Sequence, residues 1–70
     1  MALSYNGLWK LLIDKGMKKM DLRDEIGIST GTLSKLSKNE PVALTVLERI
    51  CAVLDCQFGD IVAYIPDKDN

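Results

Sequence analysis

Residues 22–36 read LRDEIGISTGTLSKL, and the fold turns on this stretch. Leu22 and Ile26 stand four apart, the spacing that puts two side chains on one face of a helix. Gly27 follows, and glycine tolerates the left-handed backbone found just past a helix end. Ile28 plugs the turn. Ser29 then suits the start of a new helix, because its hydroxyl accepts from N–H groups that have no partner there. The pattern predicts one helix over about Lys19–Ile26 and a second over about Thr30–Ser37.

The second of these is the anomaly. Its only apolar side chains are Leu33 and Leu36, while Thr30, Gly31, Thr32, Ser34, Lys35 and Ser37 are small or polar. Hydroxyl residues are middling helix formers, and a glycine inside a helix costs about 0.5–1 kcal/mol relative to alanine. A thin buried seam under a wide polar surface is poorly explained by stability alone. Positions 22, 26, 28, 33 and 36 suit two short helices that cross steeply and leave the outer side of the second one free.

Outward from this core the chain reads as further short helices divided by glycine and proline. A first helix is predicted from residue 5 or 6 to residue 15, with Ser4 as N-cap and Gly16 as its end. Leu8, Trp9, Leu11, Leu12 and Ile13 fill an arc of about 200°, wider than one buried face needs, so cover on two sides is expected. After a loop at Lys38, Asn39, Glu40 and Pro41, a fourth helix is predicted over Leu44–Leu54. Val46, Leu47, Ile50, Cys51, Val53 and Leu54 make its buried half, and Glu48, Arg49 and Ala52 face away. A last short helix covers residues 58–62. Val62, Ala63, Tyr64 and Ile65 either lengthen it or form an edge strand that pairs with a partner, and Pro66 stops any continuation. Residues 67–70 are expected to fray. Ala43 and Gln57 are poor N-caps, each weakening its helix by about 1 kcal/mol.

At 70 residues the chain is read as one domain, 1–70, whose small core must be efficiently packed. No apolar run approaches the roughly 18 residues needed to cross a bilayer. The first residues lack a basic-then-apolar secretion profile, so a cytoplasmic protein with no membrane association is expected. There is no histidine, and Cys51 and Cys56 are too few for a closed zinc site. Disulfides are rare in reducing compartments, so both cysteines read as small, mostly buried apolar residues, and no metal or cofactor is expected. Asp21, Asp24 and Glu25 read as solvated helix surface, with Asp21 favourable at the positive end of its helix. Nothing resembles a nucleophile–base pair, so the chain is not read as an enzyme. The net charge of −1 hides an asymmetry. Residues 1–39 carry seven bases against four acids, and residues 40–70 two bases against six acids. For a phosphate-bearing partner the local face matters more than the total.

Three further stretches complete a resemblance: SYNGLWKLLIDK at residues 4–15, LSKLSKNE at 33–40 and LERICAVLDC at 47–56. With the glycine turn, they resemble the phage-repressor and Cro-like helix-turn-helix family, also called the XRE family, and within it a short single-domain subgroup. The resemblance implies an all-α, five-helix, lambda-repressor-like DNA-binding domain with a short C-terminal tail, its helix-turn-helix at about residues 19–37. It implies a partner, double-stranded DNA, whose major groove, about 12 Å wide, admits a helix. By position, Thr30, Gly31 and Lys35 match residues that face base edges, with Thr32 and Ser34 flanking them. Lys18, Lys19, Ser29, Lys38 and Asn39 match phosphate-contacting positions. Arg23 departs from the alanine that many members carry. The implied function is a sequence-specific transcriptional regulator, a small repressor or autoregulator. The alternative, favoured by the near-neutral charge and Gly31, is a protein-interaction or antitoxin-type module with weak DNA affinity. Because one reading helix meets few bases, a homodimer through Ile61, Val62, Tyr64 and Ile65 is expected. A second domain that would sense a small molecule is not expected, and neither is such a ligand.

Overall fold

The computed structural model describes residues 2–66. In order, the elements are β1 (Ala2–Ser4), α1 (Asn6–Asp14), α2 (Lys19–Ile26), α3 (Thr30–Ser37), α4 (Leu44–Leu54), α5 (Phe58–Ile61) and β2 (Ala63–Ile65). Five helices therefore form where the periodicity puts them, and α2, α3 and α4 have the expected bounds. Tyr5, Leu8, Leu12, Leu22, Ile26, Leu36, Leu47, Ile50, Leu54 and Ile61 are buried in one cluster to which every helix contributes. Each fully buried leucine contributes about 1.5–3 kcal/mol relative to an exposed one.

The all-helical expectation needs one amendment. Val62 is extended, with φ −135° and ψ 142°, and α5 stops at Ile61. The β-branched and aromatic side chains that follow favour a pleated backbone. β2 pairs antiparallel with β1, Ala2 opposite Ile65, Leu3 opposite Tyr64 and Ser4 opposite Ala63. The strand's partner is thus the chain's own first residues, not a longer helix. The tail expected to fray, residues 67–70, lies outside the described residues.

Helix ends show where local reasoning was incomplete. Ser4 belongs to β1, and Tyr5 takes the N-cap position of α1 without a side-chain bond. The Asn6 N–H donates to Ser4 Oγ at 3.3 Å. Gly16 follows the last turn of α1 with φ +67°. Ala43 gives α4 no side-chain cap, as its identity implies. Gln57 fares better than expected, because its N–H donates to Asp60 Oδ2 at 2.9 Å. Cover of α1 is also narrower than the arc predicted: Leu8 and Leu12 are buried, Trp9 and Leu11 half-buried, and Ile13 is 76% exposed. In α4, Val53 is likewise partly outside, at 38%.

Two contacts set the frame around α2 and α3. At Gly7 an added Cβ would collide with the Asp60 carbonyl oxygen, so the bare glycine is what lets α1 and α5 close on each other. Arg49, on the outer side of α4, reaches across so that Nη1 donates to the Ile26 carbonyl at 3.4 Å. That bond ties the end of α2 to α4.

Candidate nucleic-acid interface

The turn between α2 and α3 is built as its residues dictate. Gly27 is left-handed, φ 70° and ψ 37°, and its N–H donates to the Arg23 carbonyl at 2.9 Å, with the Ile28 N–H on the same oxygen at 3.3 Å. Ser29 is the N-cap of α3, its Oγ accepting from the Thr32 N–H at 3.1 Å and lying 3.1 Å from Thr32 Oγ1. At the head of α2, the Lys18 N–H donates to Asp21 Oδ2 at 2.9 Å, so the acidic side chain expected to favour that end also satisfies it directly.

α3 is held by one side. Leu36 is fully buried and Leu33 half-buried, while Thr30, Gly31, Lys35 and Ser37 are exposed. Thr32 and Ser34 are half-buried. The five residues expected to read bases therefore divide: Thr30, Gly31 and Lys35 form the outer surface, and Thr32 and Ser34 its margins. Thr32 is turned toward the Ser29 cap.

The residues expected at phosphates flank this surface. Lys18 and Lys19 are exposed at the start of α2. Lys19 Nζ sits 4.3 Å from the centroid of the Trp9 ring and donates to Ser37 Oγ at 3.3 Å, so its cation is steered by both α1 and α3. Lys38 and Asn39 follow α3, with Asn39 left-handed at φ 60°. The Asn39 side-chain oxygen accepts from the Tyr5 N–H at 3.0 Å, and the Tyr5 hydroxyl donates to the Glu40 carbonyl at 2.8 Å. Asn39 thus turns its acceptor to the protein, and its amide nitrogen is the group left to act as a donor.

Tyr5 escaped the sequence reading, and Arg23 entered it only as a departure from the family's alanine. Tyr5 is only 1% exposed and anchors the loop after α3; burial raises its phenol pKa above the ordinary value. Arg23 lies against the reading surface. Its Nε and Nη2 both donate to Asp24 Oδ1 at 3.2 Å, and Nη1 donates to Thr30 Oγ1 at 3.4 Å. The signal for Arg23 was its departure from alanine; for Tyr5, which precedes the apolar arc, there was none.

Of the expected dimer residues, Ile61 must be withdrawn. It is fully buried in the chain's own core, where the apolar side of α5 meets α1 and α4. Val62 is half-buried, whereas Tyr64 and Ile65 are 61% and 48% exposed. Cys51 and Cys56 are free, half-buried thiols. Burial first, and then the neighbouring Cys51 and Asp60, push the Cys56 thiol up to about 11, and Lys15 opposes this. Among the described residues there is no cluster of three or more metal-ligating side chains, and no helix is long and apolar enough to cross a membrane.

A polar helix held outward by a glycine turn, on a frame of five helices, defines a helix-turn-helix protein. The sequence matches the family described as Cro/C1-type HTH DNA-binding domain over residues 7–67, and the chain belongs to that family. It is 38% identical over 62 residues to the uncharacterized HTH-type transcriptional regulator YozG of Bacillus subtilis (strain 168), a match spanning 86% of this chain and 74% of that protein. It is also similar to the transcriptional regulator VanUg in its crystal form II, with 56% identity and a TM-score of 0.91 over 94% of this chain and 88% of that one.

Proposed function

We propose that this DNA-binding transcriptional regulator reads a specific operator with the outer face of α3 and acts in the cytoplasm as a small repressor or autoregulator, with no reaction of its own. The observation that carries the reading is the exposure of Thr30, Gly31 and Lys35 on a helix whose packed side chains, Leu33 and Leu36, lie on its other side. Lysine donates to guanine O6 and N7, and threonine offers a hydroxyl for base edges and a methyl for thymine. Thr32 and Ser34 line the margins of the same contact. Lys18, Lys19, Ser29, Lys38 and Asn39 surround it and supply the phosphate contacts, which set register and make binding steeply salt-dependent. Val62, Tyr64 and Ile65 join two copies in a dimer, which would space the half-sites about 34–36 Å apart.

A partner-binding or antitoxin-type role on the same fold is the second reading, favoured by the net charge of −1. Titration of duplex DNA across a salt series separates the two. The proposal expects tight binding to a subset of duplexes and a negative slope of log affinity on log salt. Lys35→Ala is expected to relax preference at one base position by about 1–3 kcal/mol. Affinity that stays weak and equal on all duplexes would favour the partner-binding module.

A further inference from the structure

The outer face of α3 has a hydrogen-bonding polarity, and a residue outside α3 sets part of it. Arg23 lies on α2, its side chain 27% exposed. Asp24 holds Nε and Nη2 through one oxygen, and this fixes the plane of the guanidinium. Nη1 then points at Thr30 Oγ1 from 3.4 Å. A hydroxyl facing a cation presents its oxygen to it, and the hydroxyl hydrogen is left on the far side.

We propose that Arg23 is a positioning residue which occupies one lone pair of the Thr30 hydroxyl and turns its hydrogen toward DNA, so that Thr30 favours a base that offers an acceptor. The inference rests on the DNA reading above and deepens it. Lys35 has three donors and no acceptor, and Gly31 contributes no side chain. The exposed reading surface is therefore rich in donors. In the major groove guanine offers two acceptors, N7 and O6, whereas cytosine offers only the N4 amino donor. Adenine N7 and thymine O4 offer one acceptor each, so the strand facing α3 is selected most for guanine and least for cytosine at the Thr30 and Lys35 positions.

The test selects a best duplex from a random pool with the native chain, then replaces each base pair in turn and measures relative affinity for native, Arg23→Met, Arg23→Lys and Thr30→Val. Ratios between duplexes cancel any uniform loss of phosphate contact. The native chain is expected to prefer guanine over cytosine at one pair that Thr30→Val relaxes by about threefold to tenfold, the worth of one hydrogen bond. Arg23→Met is expected to relax the same pair and no other. The double variant goes no further, and Arg23→Lys, which keeps a cation, retains the preference. Should Arg23→Met melt before it can be assayed, Arg23→Ala, the residue many family members carry at this position, takes its place in the comparison. A preference for cytosine, adenine or thymine over guanine at that pair, or a Thr30→Val chain that relaxes no pair, overturns the proposal. So does an Arg23→Met chain that keeps the full guanine preference. A native chain that selects no sequence overturns the DNA reading itself, and that result appears before any variant is compared.

Discussion

Gly7 and Gly31 each leave a helix without a side chain, in opposite surroundings. At Gly7, in the packed region where α1 meets α5, a Cβ would strike the Asp60 carbonyl, whose carbon lies 3.1 Å away. At Gly31, on the open side of α3, the nearest atom is Ser29 Oγ at 3.7 Å, an ordinary contact. The interior demands the first glycine. It does not demand the second, which leaves α3 weaker by about 0.5–1 kcal/mol than an alanine would. No packing contact among the described residues therefore requires Gly31, and its place on an exposed face makes it a direct probe of the DNA reading. The same contrast holds for neighbouring side chains: Tyr5 is buried and bonded inward, and Lys35 is exposed.

Three substitutions press on this contrast. Gly7→Ala carries the largest expected effect, a loss of about 1–3 kcal/mol, because the opposing atoms are backbone and cannot swing aside. Denaturant unfolding measures it, and an unchanged midpoint would remove the distinction between the glycines. Tyr5→Phe keeps the buried ring and deletes the hydroxyl, leaving the Glu40 carbonyl without that partner. A loss of about 1 kcal/mol is expected, read as a lowered melting temperature. Gly31→Ala is the smallest and has the opposite sign: stability should rise by about 0.5–1 kcal/mol. DNA affinity should fall at the same time, since a methyl group would stand between the helix and the groove. Greater stability with undiminished binding would mean that Gly31 serves no partner.

The α2–turn–α3 unit was legible because its determinants are neighbours in sequence. Ser29 caps a residue three further on, and Gly27 closes a turn onto Arg23. Periodicity and capping are local, and they placed both helices and the exposed polar face. The joining of the chain ends was not legible. Tyr5 finds its partners at Asn39 and Glu40, and β1 finds β2 some sixty residues away. No local pattern marks such pairs. Ile61 illustrates the same gap: its apolar character fitted either a core or a subunit contact, and only the packing of α5 on α1 decides for the core. Arg23 stood out by identity, yet its bond to Thr30 depends on the angle at which the two helices meet.

Backbone amide shifts recorded while the chain is titrated with its selected duplex show which face meets DNA. The largest changes are expected at Thr30, Gly31 and Lys35, smaller ones at Lys18, Lys19 and Lys38, and little at Leu47 or Ile50 in the core. Changes confined to β2 and α5, with α3 silent, would contradict the assignment of α3 as that face.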